Sequence, residues 1–212
     1  MKEIQKEHMK KYSNVTFYFI EYKKIYPRFE IEENTLTING VESRMGILQK
    51  TIDALEIMFE LKVEFDYMIR SNISTIIDFS KLENELSKIT SSDLLYGSAY
   101  FNVLLWLDYP SGIVDSRHYG TKYASGTSII FNNALTHLFI ESKDKLDFSV
   151  IDDLSIGLFV NSLPLVTWYK APGWVVNPTT DKEIQSGIVF RNMSNIREND
   201  VVAMKRIVSL LK

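Results

Sequence analysis

Two kinds of apolar pattern alternate along this chain, and that alternation most constrains what it can fold into. Runs rich in β-branched and aromatic residues at 15–21, 35–38, 65–69, 100–107, 128–131 and 187–190 have the composition of strands. Between them apolar residues recur at helical spacing. Ile47, Thr51, Ala54, Leu55 and Met58 predict an amphipathic helix over 43–60, and Leu82, Leu86 and Ile89 another over 78–89. Further helices are expected over 132–140, around 156–161 and over 200–211, with a polar helical lead-in at 2–11. Asn39-Gly40 supplies a turn pair, and 110–123 and 164–181, with their Pro and Gly, are expected to be loops. Strands alternating with helices imply an α/β fold with a central, mixed but mostly parallel sheet flanked by helices. The short apolar run 65–69 is expected in the middle of that sheet. No repeat, low-complexity tract or linker interrupts the chain, so one domain over 1–212 is the simplest organisation; such a domain can also be the N-terminal part of a longer protein.

Composition narrows the function classes. Hydrophobic residues at 45% and charged residues at 24% suit a globular domain rather than a disordered chain. A formal net charge of −3 gives no electrostatic basis for general nucleic-acid binding. Cysteine is absent, which rules out disulfides and thiolate-bound zinc and suits a reducing compartment. His8, His118 and His137 lack ligand spacing. The charged stretch 1–12 has no apolar core of a secretory signal, and no run nears the roughly 20 apolar residues of a membrane span. The expectation is a cytoplasmic protein without a membrane span.

Two polar interruptions carry the candidate chemistry. In 151–157, Asp152 and Asp153 stand at the mouth of an apolar helix-like run, where carboxylates cap free N–H groups and meet the favourable end of the helix dipole. An acid held there can also serve as a general base. At 70–74, Arg70, Ser71, Asn72 and Ser74 end a strand abruptly, where ligands of open α/β sheets bind. Neither GxGxxG nor GxxxxGK[ST] occurs, which weakens dinucleotide and P-loop readings.

Four stretches in order resemble nucleotide-sugar glycosyltransferases of the GT-A fold, especially the fringe and β1,3-galactosyltransferase type. The stretch 46–55 (GILQKTIDAL) looks like that group's Leu-Lys-Thr helix. The stretch 65–73 (FDYMIRSNI) sits where the family has a strand ending in an acidic DxD motif. The stretch 123–131 (YASGTSIIF) resembles its Ser-Gly segment on the acceptor side, and 152–157 (DDLSIG) its Asp-Asp-Val-x-x-Gly motif. The stretch from 188 to 200 also looks like the ending of viral and bacterial relatives, and the chain as a whole is most similar to N-terminal glycosyltransferase domains of capsid-glycosylating proteins from large algal DNA (chlorella) viruses. The localisation implied for a viral enzyme is the host cytoplasm.

The resemblance implies a single GT-A-like domain that moves a hexose or deoxyhexose from a UDP-sugar, such as UDP-glucose or UDP-rhamnose, to a glycan hydroxyl in glycoprotein synthesis. It implies Asp153 as catalytic base, with Asp152 as neighbour or as the base itself. Donor-side candidates are Lys50, Arg70, Ser71, Asn72, Ser74 and Arg191; acceptor-side candidates are Ser125, Gly126, Trp168 and Trp174. The family's Mn²⁺ or Mg²⁺ would need carboxylates, yet Ser71, Asn72 and Ile73 occupy the DxD positions. Asp66 and Asp78 lie nearby, and Asp78 is the better substitute ligand because Asp66 would sit at the start of its strand, away from the ligand end; Arg70 is an alternative partner for the diphosphate.

Each residue also has a structural reading. Arg70 can be a surface ion-pair partner, Lys50 an ordinary solvated face residue of its helix, Asn72 and Ser74 turn formers, Asp78 a helix cap, Arg191 an anchor for the last helix, and the tryptophans core aromatics. Two other functions stay open: a non-catalytic nucleotide-sugar or glycan-binding module, and a nucleotidyltransferase acting on sugar phosphates.

Overall fold

The computed structural model describes residues 1–89, 94–102, 106–108, 113–115, 118 and 120–211. It is a mixed α/β structure. In chain order the elements are α1 (Lys2–Met9), β1 (Phe19–Lys23), β2 (Phe29–Glu32), β3 (Thr35–Asn39), α2 (Ile47–Glu60), β4 (Tyr67–Ser71), β5 (Thr75–Ile77), α3 (Phe79–Leu86), β6 (Leu94–Ser98), β7 (Tyr100–Asn102), β8 (Trp106–Asp108) and β9 (Ile113–Asp115). There follow β10 (Lys122–Ala124), β11 (Ser128–Asn132), α4 (Asn133–Glu141), α5 (Asp152–Asn161), β12 (Val166–Lys170), β13 (Trp174–Val176), α6 (Asp181–Ser186), β14 (Val189–Arg191) and α7 (Arg197–Leu210). Among the described residues no helix is long and apolar enough to cross a membrane.

The chain forms two compact units, each discontinuous in sequence. The terminal unit comprises Met1–Phe17, Arg70–Ser92 and Lys170–Lys212; the mid-chain unit comprises Tyr18–Ile69 and Asp93–Tyr169. In the terminal unit, β13, β14 and β5 form a three-stranded sheet in that order, with β13 parallel and β5 antiparallel to β14. Its core gathers Ile76, Ile184, Phe190, Met204 and Ile207 from β5, α6, β14 and α7, with Leu211 just beyond α7.

The mid-chain unit carries a four-stranded sheet in the order β12-β6-β11-β4 and a three-stranded sheet in the order β1-β3-β2. The helix α2 contributes to two separate clusters there. Leu48, Ile52 and Leu55 pack with Tyr96, Phe131, Phe139 and Phe159, whereas Ala54, Ile57 and Met58 pack with Leu36 and Ile38 of β3. Its apolar surface is therefore wider than the single stripe predicted, because two layers cover it. The helix α4 starts where the Asn132 side chain accepts the Leu135 N–H at 3.1 Å, a local stop for β11 that also begins the helix.

The expected central, mostly parallel sheet is not what forms. The strands divide among separate sheets and pairs; β1–β3 and β13–β14 are parallel, while β2–β3, β6–β11, β5–β14, β7–β10 and β8–β9 are antiparallel. Alternation of strand and helix in sequence suggested crossovers, but many partners are hairpin neighbours or strands joined by long excursions, and both permit antiparallel pairing. The run predicted for the middle of a sheet, now β4, lies at an edge. The expected loop at 164–181 holds two strands, β12 and β13. Of the loop expected at 110–123, residues 110–112, 116–117 and 119 lie outside the described residues, and the remainder includes β9 and most of β10.

Candidate functional site

The acidic pair begins α5 as its first two helical residues. Ile151 holds the N-cap position and the cap makes no side-chain bond, so the acids stand inside the first turn, where the helix dipole favours them. Asp153 reaches out of its helix. Its Oδ2 accepts the Gly126 N–H at 3.1 Å and its Oδ1 accepts the Leu154 N–H at 2.9 Å. Two backbone donors, one on each oxygen, fix the plane and direction of a half-buried carboxylate.

The loop that supplies Gly126 is itself braced. Ser125 N–H donates to the Ala99 carbonyl at 2.8 Å, and Ser125 Oγ bonds Thr127 Oγ1 at 2.9 Å. Thr127 N–H returns a bond to Ser125 Oγ at 3.2 Å. The predicted Ser-Gly segment and the predicted acidic helix are thus brought together.

Two further features set the docking of α5. A Cβ on Gly157 would lie 2.3 Å from the Tyr123 Cβ and 3.0 Å from its Cα, so the helix approaches β10 closely enough to require glycine. Asn161 then ties the helix down, its amide donating to the Lys122 carbonyl at 2.6 Å and the Gly157 carbonyl at 2.7 Å. The helix is buried on nearly every side through Leu154, Ser155, Ile156, Gly157, Phe159 and Val160.

Tyr123 packs with Val150, Leu154, Ile151 and Leu158. Burial, reinforced by the negative charge of Asp153, pushes its phenol up to about 12. At neutral pH it is therefore a neutral hydroxyl, able to donate a hydrogen bond beside a carboxylate. Lys122 places its ammonium 4.2 Å from the Trp168 ring centroid, a cation–π contact, and Trp168 meets Tyr96 edge-on at 5.0 Å. One face of Trp168 is thus covered by an ammonium. Tyr123 and Lys122 were not singled out from the sequence, although Tyr123 opens the Ser-Gly stretch.

Lys50, the remaining donor-side candidate of this unit, bonds both carboxylate oxygens of Glu42 at 2.8 Å. Burial raises the Glu42 carboxyl, but the Lys50 ammonium and the Tyr22 N–H outweigh it, so it titrates below its ordinary range.

The other candidates fall in the terminal unit. Arg70 and Ser71 end β4. Asn72 opens a turn, its carbonyl accepting the Thr75 N–H at 2.9 Å. Ser74 is buried, and its Oγ accepts from the Arg191 guanidinium, while its carbonyl accepts the Asn192 N–H at 3.1 Å and the Asn192 amide at 3.0 Å. Burial lowers the Arg191 guanidinium from its ordinary value, and the charge of Asp200 opposes this. Ser74 and Arg191 therefore meet, as a pinned pair joining the 72–75 turn to β14. Trp174 stands on β13, paired in register with Val189, so the two tryptophans belong to different strands rather than to one loop.

Asp78 caps α3. Its Oδ1 accepts the Lys81 N–H at 3.1 Å and its Oδ2 lies 3.0 Å from the Lys81 ammonium. Both oxygens are engaged, and the lysine already supplies the positive charge. Among the described residues, no three His, Cys, Asp or Glu side chains gather where a metal could be held. Asp78 does not fit the role of a divalent-metal ligand. No protein-family model matches the chain, and no curated protein matches it in sequence.

Proposed function

We propose that the chain is a glycosyltransferase that moves a hexose or deoxyhexose from a UDP-sugar to a glycan hydroxyl, with Asp153 as general base. The observation that carries this reading is the bond between the Gly126 N–H and the Asp153 carboxylate. It joins the stretch that the resemblance assigns to the acceptor side to the one it assigns the catalytic base, and it aims a carboxylate from a closely docked helix. Chemically, the acceptor O–H gives its proton to Asp153 as its oxygen bonds the anomeric carbon. The bond from that carbon to the diphosphate oxygen breaks, its electron pair leaves with UDP, and configuration inverts by opposite-face attack. Tyr123, kept protonated, contributes a neutral donor beside the base.

The resemblance also implies a divalent ion, but the Asp78 carboxylate, committed to Lys81 and the α3 cap, is not placed to hold it. The donor-side assignments to Arg70, Ser71, Asn72, Ser74 and Arg191 are carried by the resemblance and by residue chemistry. Cytoplasmic action on a glycoprotein, of a virus or another source, is part of the same proposal.

A second reading is favoured by the same Asp78 geometry: a nucleotide-sugar or glycan-binding module without catalysis, in which the DxD acids are lost. The two separate cleanly. Incubation with a panel of UDP-sugars and oligosaccharide acceptors, with UDP release followed by a coupled assay, is expected to show acceptor-dependent UDP. Sugar binding without release under every donor and acceptor pair supports the module and removes the enzyme.

A further inference from the structure

The strand β5 lies at the edge of its sheet, so its outward carbonyls have no neighbouring strand to bond. Two side chains one turn apart on α1 take the place of that strand. The Gln5 amide donates to the Ile73 carbonyl at 3.1 Å and the Thr75 carbonyl at 2.5 Å, and His8 Nε2 lies 2.7 Å from the Ile77 carbonyl. Carbonyls at alternate positions point to one side of a strand, so donors spaced three residues apart on a helix match them. Both side chains are buried, His8 completely.

The bond to Ile77 fixes the state of the imidazole. A carbonyl only accepts, so Nε2 carries the hydrogen and the neutral ring leaves a lone pair on Nδ1. That atom is buried and has no hydrogen-bond partner among the described residues. Protonation would place a second N–H there without an acceptor, which is costly in a buried position. From the turn just beyond α1, His8 is faced by Lys11, whose charge opposes the cation and whose ammonium is tied to the Val208 and Leu211 carbonyls at 3.0 and 2.9 Å. Tyr12 meets the ring edge-on at 5.2 Å, with its phenol held protonated by burial and by Asp78. At the head of α3, Asp78 favours the cation but is paired with Lys81. β5 offers only the Ile77 carbonyl.

We propose that α1 is an acid-released cover over the β5 edge, with protonation of His8 as the trigger. Burial, the largest influence, pulls the imidazole below its ordinary 6.5, and the Ile77 carbonyl and Asp78 offset this only in part. The released helix therefore binds the proton more readily than the docked one. Docking is strongest above pH 6.5 and weakens as pH falls below it. With the released ring at its ordinary value, opening of α1 can grow by up to about 30-fold between pH 7.5 and 5.

Amide hydrogen exchange on the full chain at pH 7.5 and 5.0, expressed as protection factors, tests this. Protection of α1 amides is expected to fall by up to about 30-fold while α2 amides hold theirs. His8→Gln keeps a donor for Ile77 but cannot titrate, so its α1 protection is expected to be independent of pH. Unchanged α1 protection in the native chain, or the same acid loss in His8→Gln, overturns the proposal. If His8→Gln does not fold, ¹⁵N shifts of the wild-type imidazole decide. An Nε2–H tautomer titrating below 6.5 supports the trigger, and an Nδ1–H tautomer or titration at or above 6.5 overturns it.

Discussion

Asp153 shows why the acidic pair was only half legible as a sequence. Carboxylates before an apolar run suggest a cap, and both acids do sit in the first turn of α5. What no spacing announces is the partner from a distant loop, the Gly126 N–H, because a backbone donor carries no side-chain signature. Gly157 closes the Asp-Asp stretch, and the reason for a glycine there is steric. Replacing it with alanine gains about 1 kcal/mol of helix propensity. It also sets a Cβ 2.3 Å from the Tyr123 Cβ, and overpacking of this kind costs about 1–3 kcal/mol. Gly157→Ala is expected to be destabilised by up to about 2 kcal/mol in chemical denaturation; a stabilised variant would mean that α5 can back away from β10. Asp78→Ala loses the α3 cap and the Lys81 pair, with about 1 kcal/mol expected from the cap. It should lower the melting temperature while leaving any response to Mn²⁺ as it was. A lost Mn²⁺ response without loss of stability would restore Asp78 as a ligand.

At the scale of elements, α2, α3, α4 and α7 were visible because each is long enough to repeat its apolar period, and α3 and α4 carry Asp78 and Asn132 as caps. The strands β5 and β13 are three residues each, too short for any period. Pro172 and Gly173 are turn-forming residues that mask the β-rich run Val166–Lys170 beside them. The helix α6 was missed although Thr180 and Glu183 form a capping box, a signature readable at three-residue spacing. Glu183 accepts from the Thr179 and Thr180 N–H groups at 2.9 and 2.8 Å and from both hydroxyls. These donors, led by the Thr180 N–H, hold its carboxyl down at about 2. A depressed acid supports the fold above its ordinary pKa of 4.5. That support is lost as pH falls from there towards 2. Protection of the α6 amides is therefore expected to decline across that window. In Glu183→Gln the decline should be absent, and its persistence would assign it to another group.

For the molecule as a whole, the alternation of strands and helices foretold the α/β class but not the sheets. Direction and order depend on which strands meet. β14 joins β13 in parallel and β5 in antiparallel fashion across a long stretch of chain, which no local pattern encodes. The functional proposal has a direct whole-chain consequence, since a ligand of the native state raises its apparent stability by about 2.7 kcal/mol at a hundredfold excess over Kd. One UDP-sugar of a panel is expected to raise the melting temperature above UDP-free protein, and no shift with any donor would leave the chain without a nucleotide-sugar site. The central claim, that Asp153 takes the acceptor proton, is tested most directly by steady-state transfer and UDP-sugar affinity measured together for wild type and Asp153→Asn. The expected result is loss of transfer by at least about 100-fold, within the usual contribution of a general base, with donor affinity nearly unchanged. Undiminished turnover in Asp153→Asn would contradict it.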